Sequence, residues 1–137
     1  MKLYYSPTSP YVRKVNVFAI EACLDKEIEK IATNPWVEDA NLLADNPLSK
    51  VPTLIMKNGT VLYDSPVICE YLDSLNQGTK LIPAAGMERW QALRLQALGD
   101  GILDAAVLRF LERKRPEPQQ SHDWDIMQRN TIERALT

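Results

Sequence analysis

The sequence predicts an α/β domain with the element order β-α-β-α-β-β-α, followed by a region made only of helices. Two β-prone segments near the N-terminus flank a segment with apolar residues at helical spacing. Further along, an Asn58-Gly59 pair separates two short apolar runs, which indicates a hairpin. After residue 86 the apolar spacing is helical, with breaks at proline-containing loops.

Composition and charge are those of an ordinary globular protein. The 137 residues include 16 basic and 18 acidic side chains, a formal net charge of −2, and no basic face indicates nucleic-acid binding. No apolar run approaches the ~20 residues of a membrane span, no signal peptide precedes the first strand, and no metal-ligand spacing occurs. These features predict a cytoplasmic protein without a metal. Cys23 and Cys69 fall in predicted helices and are expected to be buried thiols.

The first unit of the domain is a strand, a loop and a helix. Lys2 to Tyr5 is short and β-prone. Ser9 is expected to cap a helix from Pro10 to Leu24, with the proline at its first position. A weak strand from Ile28 to Ala32 completes a β-α-β unit, which requires parallel pairing of its two strands.

The stretch around Asn58-Gly59 organises the second half of the domain, after a short irregular helix from Val37 to Ala44. An Asn-Gly pair tolerates positive φ at both central positions of a type I′ turn. Thr53 to Lys57 and Thr60 to Tyr63 are therefore expected to form two antiparallel strands. The segment Asp64-Ser65-Pro66 then begins a helix, with the serine as N-cap and the proline at the first helical position.

The rest of the chain is predicted to be a linker and two helices. Residues 77–86 have no periodic apolar pattern and are expected to connect a domain of residues 1–76 to a helical region of residues 87–137. The first helix, from Glu88 to Arg115, contains Gly99 and Gly101, each of which costs about 1 kcal/mol relative to alanine. The second runs from Asp123 to Leu136 and has a partly apolar face.

The helix start at Asp64-Ser65 suits a ligand that carries both charges. A helix N-terminus offers free N–H groups and a partial positive charge, which favour a carboxylate. The Ser65 hydroxyl adds a donor, and the Asp64 carboxylate can hold an ammonium group. Taken alone, the segment is better explained as a helix cap next to an acid that favours the helix dipole.

Together, three motifs resemble the glutathione S-transferase family. Val51-Pro52 before a strand and Asp64-Ser65 at the next helix start resemble its glutathione-binding half, and residues 5–14 resemble the active-site loop of its bacterial members. The resemblance implies a thioredoxin-like fold, a cis bond before Pro52, and pairing of the Val51 backbone with the cysteinyl part of glutathione. It implies that Asp64 and Ser65 hold the γ-glutamyl end. Lys50 is the candidate for the glycine carboxylate, with a surface lysine as an equal alternative.

The resemblance also places a hydroxyl opposite the glutathione sulfur. Ser9 fits best, in place of the cysteine in the Cys-Pro-Tyr motif of glutaredoxin-like and omega-class relatives, and Ser6 is the second candidate. A free thiol with a pKa of ~8.5 is mostly protonated at neutral pH, so a donor and a helix N-terminus would stabilise the thiolate. Because serine forms no mixed disulfide, conjugation is favoured over thiol–disulfide exchange. A simple helix cap is the alternative for Ser9.

By the same resemblance, a hydrophobic electrophile binds in an apolar cleft between two domains, lined by Tyr11, Gly101, Ala105 and Leu108. The implied activity is that of a glutathione transferase, with glutathione as co-substrate and a homodimer as the assembly. The alternatives are a non-catalytic member that binds a protein partner, like stringent starvation protein A, and a glutathione-dependent reductase or dehalogenase. Family members carry a longer second domain, so a fragment is favoured over a short variant.

Overall fold

A computed structural model describes all 137 residues of the chain. The chain forms two compact units, Met1–Gly86 and Met87–Thr137. The first has the predicted order of strands and helices: β1 (Lys2–Tyr5), α1 (Pro10–Glu21), β2 (Glu29–Ala32), α2 (Ala40–Asp45), β3 (Thr53–Ile55), β4 (Val61–Leu62) and α3 (Ser65–Leu75). Two further helices follow, α4 (Gly86–Glu112) and α5 (His122–Ala135). None of the helices combines the length and the apolar character needed to span a membrane.

The four strands form one mixed sheet in the order β2-β1-β3-β4. Strands β1 and β2 are parallel, as predicted, and β3 is antiparallel to both β1 and β4. Tyr4 of β1 lies opposite Thr53, and Leu54 lies opposite Leu62 of β4. The C-terminal ends of β1 and β4 and the N-terminal end of β3 therefore meet at one end of the sheet, which we call the Tyr5 end.

The main core of the first unit joins the sheet to helices α1 and α3. Fully buried residues of one cluster come from β1 (Leu3), α1 (Val15), β3 (Leu54) and α3 (Ile68 and Leu72). Helices α1 and α3 also contact each other. Burial of apolar side chains at helical spacing explains why these two helices were predictable from sequence. The same packing fixes where the two helices begin at the Tyr5 end.

Helix α1 ends three residues earlier than predicted. Cys23, at φ 56°, follows the helix in the left-handed region. Its N–H donates to the Ile20 carbonyl at 2.9 Å, and the Leu24 N–H donates to the Ala19 carbonyl at 2.8 Å. This is the Schellman arrangement, whose left-handed position is usually taken by glycine. Cys23 is consequently exposed, and the expectation of a buried thiol is confirmed only for Cys69.

The hairpin forms at Asn58-Gly59, but the prediction of a type I′ turn was wrong. Only Gly59 has a positive φ, of 85°. Its N–H donates to the Met56 carbonyl at 3.1 Å, and the Met56 N–H donates to the Thr60 carbonyl at 2.8 Å. A turn followed by a left-handed glycine is the three-residue hairpin loop with a bulge. The Asn58 side chain accepts from the Thr60 N–H at 3.0 Å, which holds this alternative loop.

The carboxylates of Asp125 and Glu112 connect α4 to α5 through hydrogen bonds. Asp125 accepts two hydrogen bonds from Arg109, at 3.0 and 3.1 Å, and two from Arg113, both at 3.1 Å. Glu112, which is buried, accepts from the Ser121 N–H at 2.5 Å. At a helix C-terminus, basic residues are expected to favour the helix dipole. Arg113, which follows α4 directly, instead bonds to Asp125 of the next helix.

We expect the Asp125→Asn variant to have a lower melting temperature at pH 7 than the wild type. The two guanidinium groups hold the pKa of Asp125 well below its ordinary value of 3.8. A carboxyl whose pKa is lower in the folded than in the unfolded state stabilises the fold above its unfolded pKa, and this contribution is lost as pH falls through the folded pKa. The two melting profiles should therefore converge as the pH is lowered below about 4.

Asp123→Asn is the matched control for this prediction, because Asp123 lies exposed in the same first turn of α5. Its melting profile between acidic and neutral pH should follow that of the wild type. If Asp125→Asn also follows the wild type at every pH, the double pairing with Arg109 and Arg113 contributes nothing to stability. Both variants need only thermal unfolding monitored by circular dichroism.

Candidate functional site

Three loops and two helix N-termini meet at the Tyr5 end of the sheet. Strand β1 leads into the loop with Ser6 and Ser9, Val51-Pro52 precedes β3, and β4 leads into Asp64-Ser65. Helices α1 and α3 begin directly after the first and the last of these loops. The register of the sheet thus brings the predicted sulfur-facing and glutathione-binding residues to one end of the same unit.

Ser9 caps helix α1, and its hydroxyl proton remains available. The Ser9 Oγ accepts from the Val12 N–H at 3.3 Å, and the residue is half-buried. A hydroxyl that accepts one hydrogen bond still has an O–H group to donate. Ser6 is buried, and its Oγ shares a hydrogen bond of 3.1 Å with the Thr8 hydroxyl. The cap and the donor role are therefore compatible in Ser9, and Ser6 stays the second candidate because either hydroxyl of the Ser6–Thr8 pair can be the donor.

The peptide bond between Val51 and Pro52 is cis, as the resemblance implied. The Val51 side chain is buried and belongs to a second apolar cluster with Tyr4, Val12 and Leu42. No backbone–backbone hydrogen bond outside the helices and strands involves Val51. Its N–H and C=O groups are thus free to pair with an extended peptide lying beside the loop.

Helix α3 begins one residue earlier than predicted, so the N-cap is Asp64 and not Ser65. The Asp64 carboxylate makes no capping hydrogen bond, and its peptide bond with Tyr63 is cis. The Ile68 N–H donates to the Asp64 carbonyl at 3.0 Å, which leaves the N–H groups of Ser65 and Val67 without a helical partner. Ser65 itself is 2% exposed. The helix start therefore has uncommitted donors at its positive end.

Two charged side chains at this end of the sheet have no ionic partner within the chain. Lys50 and Asp64 are both exposed, and neither takes part in a salt bridge. A ligand that carries an ammonium group and a carboxylate can therefore find one charge of each sign here. Both side chains stay accessible to such a ligand because neither is buried.

A buried polar pair lies behind the loop, and no sequence motif indicates it. Asn46 and Thr53 are both buried, and the Asn46 amide donates to the Thr53 hydroxyl at 2.9 Å. In the sequence, Asn46-Pro47 predicts only the end of a helix, because an Asn-Pro pair is a common breaker. Nothing in the local pattern indicates that the amide points inward.

The residues predicted to line the electrophile site lie in both units. Tyr11 is half-buried in the first turn of α1. Gly101, Ala105 and Leu108 follow one another along α4, where Ala105 is buried and the other two are exposed. A Cβ atom added at Gly101 would meet nothing within 4 Å. The common role of these four residues stays a prediction.

The chain is similar to known proteins in both sequence and fold. The sequence profile of the glutathione S-transferase N-terminal domain matches residues 8–75. An uncharacterized GST-like protein of Escherichia coli K12 is 38% identical over 136 residues, which cover 99% of this chain and 66% of that protein. The present chain thus spans about two thirds of the length of this relative.

Solved structures give the same result. A glutathione transferase family member from Pseudomonas fluorescens Pf-5 with bound glutathione matches with a TM-score of 0.94 and 45% identity, covering 98% of this chain and 67% of that one. A glutathione S-transferase from Methylobacillus flagellatus with glutathione bound matches with a TM-score of 0.91 and 41% identity, covering 98% and 66%. These matches confirm the thioredoxin-like domain followed by a helical region. The chain belongs to the glutathione S-transferase family.

Proposed function

We propose that this chain binds glutathione at the Tyr5 end of the sheet, stabilises its thiolate and transfers it to a hydrophobic electrophile. The observation that carries the proposal is the convergence of Ser9, Val51-Pro52 and Asp64-Ser65 at that end. The two relatives with solved structures described above contain glutathione. The proposal assigns each part of the tripeptide to one of these segments.

The γ-glutamyl end has a carboxylate and an ammonium group on one carbon atom. In the proposed complex the carboxylate accepts from the N–H and the hydroxyl of Ser65, at the positive end of α3. The ammonium group pairs with Asp64. The cysteinyl residue pairs with the N–H and C=O of Val51, and Lys50 faces the glycine carboxylate.

The cysteinyl sulfur then faces the N-terminus of α1. The Ser9 hydroxyl donates to the sulfur, and the helix dipole favours its negative charge, so both lower the pKa of the bound thiol. The thiol proton passes to solvent. The thiolate attacks an electrophilic carbon and forms a carbon–sulfur bond, while the leaving group departs with the electron pair of its own bond. Ser9 acts as a donor and makes no covalent bond.

Calorimetric titration with glutathione, followed by thiolate absorbance of the complex against pH, tests the proposal. We expect binding, with a pKa of the bound thiol below the ~8.5 of a free thiol. S-methylglutathione is the control, because it retains the tripeptide contacts and has no ionisable thiol. Binding with an ordinary thiol pKa would reduce the chain to a glutathione-holding module, and no binding by the folded chain would overturn the proposal.

The identity of the electrophile is open to a direct screen. Once thiolate formation is established, soft electrophiles of graded size and hydrophobicity can be compared by kcat/KM. The predicted lining residues Tyr11, Gly101, Ala105 and Leu108 then serve as positions for enlargement or truncation. The homodimer is a separate prediction, which sedimentation of the purified chain tests.

A further inference from the structure

A buried hydrogen-bond network holds the loop that precedes Pro52. The Asn46 amide nitrogen donates to the Thr53 hydroxyl at 2.9 Å and to the Lys50 carbonyl at 3.2 Å, and its amide oxygen accepts from the Leu48 N–H at 3.0 Å. The Thr53 hydroxyl donates to the same Lys50 carbonyl at 2.8 Å. Asn46 is 1% and Thr53 0% exposed, so water does not compete for these bonds.

The backbone of the loop is closed around the same asparagine. The Ser49 N–H donates to the Asn46 carbonyl at 2.8 Å, and Ser49 has a φ of 50°. A non-glycine residue in the left-handed region is disfavoured, so the surrounding contacts have to hold it there. The network of Asn46 and Thr53 supplies such contacts on both sides of the loop.

The Lys50 carbonyl and the Val51 N–H belong to one planar peptide unit. Two hydrogen bonds to the carbonyl oxygen therefore also fix the direction in which the Val51 N–H points. That N–H has no partner in the protein's own backbone. The network thus orients a free donor at the Tyr5 end of the sheet.

We infer that Asn46 and Thr53 are positioning residues, which pre-organise the Val51 main chain for the cysteinyl part of glutathione. The inference rests on the proposed function, because it assigns the ordered loop to that ligand. A loop that is ordered before binding loses less conformational freedom on binding, and affinity rises accordingly. Loss of the network should therefore weaken glutathione binding even in variants that remain folded.

Thr53→Val and Thr53→Ser form the decisive pair. Valine has nearly the same shape as threonine but no hydroxyl. It therefore removes the hydrogen bond to the Lys50 carbonyl and the acceptor for the Asn46 amide. Serine retains the hydroxyl and with it both hydrogen bonds. We expect calorimetry to show glutathione binding weakened about tenfold by Thr53→Val and rescued to within about twofold by Thr53→Ser. Equal affinity in the two variants would overturn the inference.

Asn46→Ala has a matched control in Asn76→Ala. Asn76 is also buried, and its amide closes a loop after α3 by donating to the Thr79 carbonyl at 2.8 Å and accepting from the Gly78 N–H at 2.9 Å. Both variants should lose thermal stability, but only Asn46→Ala should lose glutathione affinity. Equal affinities would show a purely structural network. If Asn46→Ala does not fold, the Thr53 pair decides alone, since valine nearly preserves the buried volume and serine removes only one methyl group.

NMR order parameters of the Val51 amide provide a readout without ligand. The value should be that of rigid backbone, about 0.85, in the wild type and in Thr53→Ser, and should fall toward 0.6 in Thr53→Val. A wild type that binds no glutathione would refute the proposed function, while the order parameters would still decide whether the pair holds the loop. A Val51 amide that stays rigid in Thr53→Val overturns the inference in either case.

Discussion

In the Ser9→Ala variant, turnover of glutathione with an electrophile is expected to fall about 100-fold, as it does when a single preorganised donor to a developing anion is removed. Affinity for glutathione should change little, because the tripeptide is held at Val51, Asp64 and Ser65. The pKa of the bound thiol should rise by about one to two, since the hydroxyl favours only the thiolate. Stopped-flow turnover and thiolate absorbance against pH measure the two effects separately.

Loss of the helix cap has to be separated from loss of the donor. Ser9→Gly also removes the hydroxyl but costs the helix only a few tenths of a kcal/mol, against about 1 kcal/mol for alanine. Ser121→Ala removes the cap of α5, whose Oγ accepts from the Trp124 N–H at 3.3 Å, the same length as the bond from Val12 to Ser9. Turnover should fall equally in both Ser9 variants and stay unchanged in Ser121→Ala. If Ser9→Ala retains wild-type turnover, the role passes to Ser6.

In the Asp64→Asn variant, glutathione binding is expected to weaken about tenfold, because a hydrogen-bonded charge pair is replaced by a neutral contact. Asp64 is exposed, so salt should screen the interaction and the difference from the wild type should shrink between low and high ionic strength. Titration calorimetry at two salt concentrations measures both effects. The thiol pKa of the bound glutathione should remain close to that of the wild type.

A ligand without the α-amino group identifies the partner of Asp64. The desamino analogue of glutathione should bind the wild type about as weakly as glutathione binds Asp64→Asn, and the two changes together should cost little more than either alone. Asp25→Asn serves as the control, since Asp25 is exposed and precedes β2 at the opposite end of the sheet. If Asp64→Asn binds glutathione with wild-type affinity, Asp64 does not contact the ligand and only interacts favourably with the dipole of α3.

The order of elements could be predicted because each element has a local signal. Apolar residues at helical spacing marked α1 and α3, and a glycine with a compatible neighbour marked the hairpin. The exact chain path had no such signal. Both candidate hairpin loops place Gly59 in the left-handed region, so the Asn-Gly pair alone could not choose between them. Cys23 is in the left-handed region, at a position where glycine is usual. Because no glycine stands there, the sequence contains no signal for the end of α1.

The candidate site shows the same division between local and distant determinants. Ser9-Pro10 and Ser65-Pro66 are identical pairs, yet the first serine is an N-cap and the second is already helical. Local chemistry accepts either position, and the packing around each helix start decides. The partners of the Asn46 amide depend on the path of a loop with one left-handed residue, which the sequence pattern did not reveal.

The position of the hairpin loop at residues 56–60 makes it a place for attachment. Strand β3, from Thr53 to Ile55, separates this loop from the Tyr5 end by about 10 Å. The Lys57 side chain points to Glu27 with an ion pair of 2.8 Å, and Gly59 has open space around it. An affinity tag or a surface linker attached through the exposed side chain of Thr60 would leave both the Asn58 side chain, which accepts from the Thr60 N–H, and the Tyr5 end of the sheet chemically unaltered.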